Sequence, residues 1–220
     1  MCFLDAFNLI LFDLDGLLVD TEHLHFRAYT QMCEQHGFSI SWSFKQYCTL
    51  AHIGNNAIKE EIQKKAEFAK KIPWSVLYEE KQKIIKDLLV TENIPLMPGV
   101  EKILTLTSNK KRCVVTNSTK LIVANIVNKN SILRTIPYWI TREDYENPKP
   151  AQDAYKAAVL RYGKKEDKII ILEDTIKGLM AAKGFGIRVL ICPKDHAQAL
   201  DEDIIHFSSL NELCSIKDFN

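Results

Sequence analysis

The chain of 220 residues carries 29 basic and 28 acidic side chains, for a formal net charge of +1, and 46% of its residues are hydrophobic. This length and apolar content suffice for a sizeable core and argue against disorder, and the balanced charge provides no global field that would attract nucleic acid or an anionic membrane. No apolar run has the length of a membrane span or the flanks of a signal peptide, and six scattered cysteines form no CxxC pair, so we expect a cytoplasmic protein with no membrane or nucleic-acid partner.

Short apolar runs predict buried strands, and helical patterns lie between most of them. The strands are NLILFDLD, RCVVTNS, PYWIT, KIIILED and RVLICP, and the helices are MPGVEKILTLTSN, STKLIVANIVNKN, AQDAYKAAVLRYG and TIKGLMAAKG. Gly163 and Gly184 follow two of these helices, where a left-handed residue is expected. Buried strands alternating with helices predict an α/β fold, a doubly wound, Rossmann-like parallel sheet covered on both faces.

The stretch between the first and second strands is too long for a loop and contains no convincing strand. Its patterns, EHLHFRAYTQMCEQHG, NNAIKEEIQKKAEFAKK and WSVLYEEKQKIIKDLLV, are helical. We therefore predict an α/β core formed by residues 1–20 and 93–220, with residues 21–92 as an inserted helical domain.

A pair of carboxylates, Asp13 and Asp15, follows the first strand directly, and Gly16 allows the chain to bend there. In open α/β sheets, ligands bind at the carboxyl ends of the strands. Two carboxylates projecting toward one spot repel each other, and a hard cation with oxygen ligands, above all Mg²⁺, relieves that repulsion. A carboxylate oxygen next to such a cation could attack phosphorus, although the pair alone could also be solvated acids in a turn.

Three further segments place polar side chains where the predicted strands end or a helix begins. They offer hydroxyls and turn amides for phosphoryl oxygens, carboxylates for the cation, and an ammonium to offset negative charge. Each segment also has a structural alternative. Thr116, Ser118 and Asp174 could cap helices, and Lys149 could be a surface charge in a proline-fixed turn. The residues are Thr116, Asn117 and Ser118 after the second strand, Glu173 and Asp174 after the fourth, and Lys149 between two prolines.

Four motifs in chain order resemble those of the haloacid dehalogenase superfamily, in the group that carries a small helical cap after the first strand. They are FDLDG at 12–16, VVTNS at 114–118, KPAQDAY at 149–155 and ILEDTIKGLMAAKGFG at 171–186. The resemblance implies that Asp13 is a nucleophile forming an aspartyl phosphate and that Asp15 is the general acid and base. It also implies Mg²⁺ ligands and phosphoryl-binding groups. The Mg²⁺ ligands would be Asp13, the backbone carbonyl of Asp15 and Asp174, with Glu173 near or in the coordination shell. The phosphoryl-binding groups would be Thr116 and Lys149.

The inserted domain should choose the substrate. DTEHLHFRAY at 20–29 is similar to the corresponding stretch of the β-phosphoglucomutases, including the histidine position occupied here by His25. The lysine and arginine that those enzymes carry around a cap glycine are missing around Gly54, which disfavours a mutase. His25 and His52 are candidate substrate-binding residues, and packing within the helical domain is the alternative for His25.

The sequence therefore predicts a Mg²⁺-dependent phosphomonoester hydrolase that acts on a small phosphorylated metabolite through an aspartyl phosphate. Asn117 and Ser118 join the predicted substrate-binding residues. One alternative is a sugar phosphomutase similar to β-phosphoglucomutase, and another is a non-catalytic protein that binds a phosphorylated ligand. The second aspartate of the first motif argues against dehalogenation. The oligomeric state is not indicated, and a monomer is compatible with the sequence.

Overall fold

The structure, a computed structural model, describes residues 3–53, 55–193 and 201–216, without the side chains of residues 52, 53 and 55. The chain divides into two compact units, Met1–Asp20 with Ile94–Asn220, and Thr21–Asn93. Among the helices of the described ranges, none combines the length and the apolarity needed to cross a membrane.

The larger unit contains a sheet in which every strand runs parallel to its neighbours. The strand order is β3-β2-β1-β4-β5-β6, so the chain builds outward from β1 in one direction and then in the other. The predicted doubly wound α/β fold is confirmed. The strands are β1 (Leu9–Phe12), β2 (Lys111–Val115), β3 (Tyr138–Ile140), β4 (Ile169–Glu173), β5 (Ile187–Ile191) and β6 (Ile204–Phe207).

The α-helices of the described ranges lie between these strands, within the smaller unit and after β6. They are α1 (Glu22–Gln35), α2 (Phe44–Ile53), α3 (Asn55–Lys65), α4 (Phe68–Lys71), α5 (Trp74–Thr91), α6 (Val100–Leu106), α7 (Lys120–Lys129), α8 (Asp153–Tyr162), α9 (Ile176–Ala181) and α10 (Leu210–Leu213). In the smaller unit α1 packs against α5, around a core that includes Tyr29, Met32 and Leu77.

Strand β1 is the centre of the larger unit because its residues pair with β2 on one side and β4 on the other. All four of its side chains are fully buried, as an apolar strand covered on both faces requires. The order of the sheet reverses at β1, and the crevice outside the carboxyl ends of the strands at such a reversal is where open α/β sheets bind ligands. The fold thus directs attention to the residues that follow β1, β2 and β4.

Several local predictions differ from the structure. Strand β6 was not predicted, because this edge strand is only partly buried and its apolar run is short. Helix α2 was not predicted either, and the helix expected over residues 55–71 is divided, since a turn at Ala66 buries both Ala66 and Ala69. Gly163 is extended (φ −81°) rather than left-handed, whereas Gly184 has the expected positive φ of 89°. A Cβ at Gly163 would lie 2.7 Å from the Val159 carbonyl oxygen, so this close contact leaves no room for a side chain at position 163.

Candidate active site

The ends of three adjacent strands bring most of the predicted site residues together. Asp13 follows β1, Thr116 follows β2, and Glu173 is the last residue of β4, with Asp174 next to it. Because β1 lies between β2 and β4 in a parallel sheet, all three strands end at the same edge. The Asp13 amide donates a hydrogen bond to the Leu172 carbonyl at 3.0 Å, which continues the pairing of β1 with β4 up to the first aspartate.

Lys149 reaches this edge from the loop before α8, and its ammonium is the centre of the buried polar cluster. The Nζ atom lies 2.6 Å from Asp13 Oδ1 and 2.6 Å from Glu173 Oε1. It also donates to the Val115 carbonyl oxygen at 2.7 Å. Lys149 is 5% exposed and Glu173 is 1% exposed, so these ion pairs are shielded from water. The alternative of a surface charge in a proline-fixed turn is therefore wrong for Lys149.

The electrostatics of the cluster follow from burial and from the charges within it. Burial alone would lower the pKa of Lys149, but the carboxylates of Asp13 and Glu173 outweigh it and raise that pKa well above its usual value. Burial raises the pKa of Asp13 to about 8, although the Lys149 ammonium opposes the shift. The ammonium therefore stays charged, and additional positive charge at this site would favour the ionised form of Asp13.

Three carboxylates form a group that could hold a cation. Oxygens of Asp13, Glu173 and Asp174 lie within 4.8 Å of one another. Gly16, with a φ of +81°, lies against this group, and a Cβ there would overlap the Asp174 carboxylate. Glycine thus provides both the bend after the first aspartates and the space for Asp174. Carboxylate oxygens are the ligands that Mg²⁺ prefers, so the donor set fits that ion.

Asp15 is held on the side of the site formed by β2. Its Oδ2 atom accepts hydrogen bonds from Ser118 Oγ at 2.8 Å and from Thr116 Oγ1 at 3.2 Å. Thr116 also accepts a hydrogen bond from the Ser118 amide at 2.9 Å, which fixes the turn after β2. The two hydroxyls therefore orient the carboxylate of Asp15.

The capping alternatives for these residues are not what the structure contains. Helix α7 begins at Lys120 after Thr119, so neither Thr116 nor Ser118 is its N-cap. Helix α9 is capped by Thr175, whose hydroxyl accepts from the Gly178 amide at 3.2 Å. Asp174 is therefore not needed to cap that helix, and its carboxylate belongs to the acidic group.

Asn117 supports the loop that carries Lys149. Its Oδ1 atom accepts a hydrogen bond from the Lys149 amide at 3.1 Å and lies 2.8 Å from the Tyr145 hydroxyl. The same hydroxyl lies 2.8 Å from the Thr116 carbonyl oxygen. Through these contacts Asn117 and Tyr145 join the end of β2 to the loop before α8.

The two candidate histidines belong to the smaller unit. His25 Nδ1 lies 2.7 Å from the Nζ atom of Lys81, which is 3% exposed. Burial and then the neighbouring ammonium lower the pKa of His25 well below its usual value, so the ring is neutral and Nδ1 accepts from Lys81. His52 lies near the end of α2, and its side chain falls outside the described residues.

Sequence reasoning missed several residues that support this site. Tyr155, one of the largest fully buried side chains, reaches Glu173 from α8, and a Cβ at Gly178 would overlap the Glu173 carboxylate. Tyr155 is part of the KPAQDAY motif, but a tyrosine on a buried helix face gives no separate signal. Tyr145 was also missed, because its contact with the end of β2 joins segments that are distant in sequence. In the smaller unit, the contact between Lys81 and His25 was missed for the same reason.

Comparison with known proteins places this geometry in a family. A profile of haloacid dehalogenase-like hydrolases matches residues 10–192. The chain belongs to this family. The predicted family and the prediction of a hydrolase are confirmed, and the matched region contains all the residues of the acidic group and Lys149.

Individual members of the family are similar along most of their length. The CbbY protein of Cereibacter sphaeroides is 26% identical over 198 residues, which cover 84% of this chain and 83% of CbbY. The phosphorylated carbohydrates phosphatase of Thermotoga maritima is 27% identical over 191 residues, or 81% of each protein.

A solved structure of CbbY from Rhodobacter sphaeroides in complex with phosphate has a TM-score of 0.66 at 21% identity, covering 94% of this chain and 96% of CbbY. At this identity the solved structure establishes the shared haloacid dehalogenase fold.

Proposed function

We propose that this haloacid dehalogenase-like hydrolase is a Mg²⁺-dependent phosphomonoester hydrolase that acts through an aspartyl phosphate on Asp13. The observation that carries the proposal is the buried Lys149 ammonium, 2.6 Å from both Asp13 and Glu173 at the switch point of the sheet. A buried cation aimed at one carboxylate keeps that carboxylate oriented and offsets the negative charge of an approaching phosphoryl group.

Asp13 and Asp174 would hold Mg²⁺ together with the backbone carbonyl of Asp15, and Glu173 lies next to them. Support for this comes from the hard oxygen donors of the acidic group and from the space that Gly16 leaves for Asp174. The ion, when bound, neutralises charge on the transferring phosphoryl group.

In the first step, a carboxylate oxygen of Asp13 attacks phosphorus in line with the departing ester oxygen. The bond from Asp13 to phosphorus forms as the ester bond breaks, and Asp15 gives a proton to the leaving oxygen. Thr116 and Lys149 hold the transferring group. The hydrogen bonds that Asp15 accepts from Thr116 and Ser118 support its role, because they orient its carboxyl group beside the site.

In the second step, water attacks the phosphorus of the aspartyl phosphate, and Asp15 accepts a proton from that water. The bond between phosphorus and Asp13 breaks, which releases inorganic phosphate and restores the carboxylate. Lys149 stays charged throughout and compensates the charge on Asp13, since its raised pKa keeps its proton in place.

We further propose that the substrate is a small phosphorylated metabolite. The relatives provide the support, since one of them is named a phosphatase of phosphorylated carbohydrates and another was solved with phosphate. The contributions of Asn117, Ser118, His25 and His52 to substrate binding stay predictions.

The test is release of inorganic phosphate from a panel of phosphate esters, including p-nitrophenyl phosphate, phosphoglycolate and hexose phosphates, with Mg²⁺ and with EDTA. We expect release that requires the added ion. Asp13→Asn is nearly isosteric and should abolish release while the protein stays folded. Asp87→Asn, the same change at an exposed position of α5, is the matched control and should leave release unchanged.

Three other outcomes would contradict the proposal. Conversion of β-glucose 1-phosphate to glucose 6-phosphate without net phosphate release would identify a mutase. Binding of phosphate esters without any turnover would identify a non-catalytic ligand-binding protein. Full activity of a pure Asp13→Asn preparation would show that another residue is the nucleophile.

A further inference from the structure

The mechanism proposed above assigns nothing to Tyr155, although this side chain is part of the same buried cluster. It is fully buried, and its hydroxyl lies 2.5 Å from Glu173 Oε1. The hydroxyl also lies 3.3 Å from Lys149 Nζ, and the ring centroid is 4.8 Å from that nitrogen. Tyr155 thus contacts both members of a buried ion pair.

The direction of the tyrosine hydrogen bond follows from a count of protons. An ammonium has three N–H groups and no acceptor. Lys149 has three oxygens at 2.6 to 2.7 Å, on Asp13, Glu173 and the Val115 carbonyl, so these contacts use all of its donors. The Tyr155 hydroxyl cannot donate to the ammonium, and its proton is therefore directed to Glu173.

Glu173 is held from the other side as well. A Cβ at Gly178 would overlap the Glu173 carboxyl group, so the backbone of α9 lies directly against this carboxylate. Lys149 and Tyr155 both donate to the same oxygen, Oε1. The carboxylate is thereby confined between α9 and the two donors, with 1% of the residue exposed.

We propose that Tyr155 is a positioning residue that holds Glu173 as the counter-ion of Lys149 and so keeps the Lys149 ammonium aimed at Asp13. This inference deepens the proposed function and rests on it for its effect on turnover. It assigns Glu173 chiefly to Lys149 and leaves Asp13 and Asp174 as the main carboxylates for the cation.

The first test compares Tyr155→Phe with Tyr162→Phe in phosphate release. Tyr162 lies in the same helix and is stacked on Tyr138 with ring centroids 4.3 Å apart. The control therefore also removes a tyrosine hydroxyl from α8, but away from the buried cluster. We expect Tyr155→Phe to lower kcat about tenfold with little change in KM, the effect of one buried hydrogen bond to a charged group. An unchanged kcat would overturn the proposal.

The second test asks whether Tyr155 acts through Glu173. In a Glu173→Gln background, Tyr155→Phe should change kcat by less than about twofold, because residues that act through one another are not additive. A general structural role predicts instead that the two losses multiply. Multiplying losses would overturn the proposal even if Tyr155→Phe alone were impaired.

The third test does not depend on activity. In cation-free protein, the buried Lys149 ammonium should give a slowly exchanging ¹⁵N signal, assigned by its loss in Lys149→Arg. Tyr155→Phe should shift or broaden that signal, whereas Tyr162→Phe should not. An unmoved signal in Tyr155→Phe would overturn the proposal.

Failure of the proposed function would be distinguishable from failure of this inference. If the wild-type protein releases no phosphate, the proposed function fails and the Lys149 signal alone decides. If Tyr155→Phe does not fold, a nuclear Overhauser contact between the Tyr155 hydroxyl proton and the Lys149 ammonium decides in the wild-type protein, and its absence overturns the proposal.

Discussion

The ion pairs of Lys149 allow a quantitative prediction about stability. Lys149→Met keeps most of the side-chain volume but removes the charge that lies 2.6 Å from both Asp13 and Glu173. Removing one partner of a buried ion pair costs about 3–5 kcal/mol, because the other charge stays buried without compensation. At 5% exposure, Lys149 is buried enough for this range to apply at neutral pH.

The deficit should also depend on pH, with a definite sign. Without the ammonium, the folded variant relieves its buried negative charge by keeping a proton that the unfolded chain has lost. A group that is protonated in the folded state alone stabilises the protein less as pH rises. The difference from wild type should therefore grow with pH, by about 1.4 kcal/mol per pH unit for one proton.

The assay is urea unfolding in EDTA between pH 5.5 and 8. In a Trp42→Phe, Trp74→Phe background, Trp139 in β3 reports on the larger unit alone. Lys156→Met, an exposed position of α8, is the matched control and should stay within about 0.5 kcal/mol of wild type. A loss below about 1 kcal/mol that does not change with pH would refute the view that Lys149 is a buried, paired cation.

Two further predictions use the same unfolding assay. The pKa of Asp13 is raised from 3.8 to about 8, so folded protein keeps a proton over that range, and the free energy of unfolding of the cation-free protein should fall as pH rises from about 4 to 8. Asp13→Asn should reduce that slope, and an identical slope in this variant would contradict the assignment. Gly178→Ala should destabilise the larger unit by about 1–3 kcal/mol and lower phosphate release, since its Cβ would displace Glu173. Equal phosphate release in Gly178→Ala and wild type would count against this close approach of α9 to Glu173.

The sequence was informative where local rules apply. The run before Asp13 is apolar on every side, and this continuous burial is typical of a strand with helices on both faces. Pro98 and Gly99 predict the start of α6, which begins at Val100. The site residues could be selected for a related reason, since parallel strands end at one edge, and polar groups that directly follow apolar strands must lie there.

The sequence was less informative where burial is partial or where a helix is short. Strand β6 lies at the edge of the sheet with three of its four residues half-buried, so its hydrophobic pattern is weak. The turn at Ala66 contains neither proline nor glycine, and Ala66 and Ala69 are both buried in the helical unit. Such features depend on the partners of a segment rather than on its own residues.

The amino-acid sequence by itself determined the order of the buried strands and of the helices between them, because periodicity and turn chemistry act over a few residues. It also determined the identity of the acids, hydroxyls and lysine at the strand ends. Only the tertiary structure decided how those groups pair. Lys149 and Asp13 are 136 positions apart in the chain, and Glu173 is 24 positions from Lys149. The Tyr155 hydroxyl and the space at Gly178 acquire their meaning only when α8, α9 and the sheet pack around one buried carboxylate.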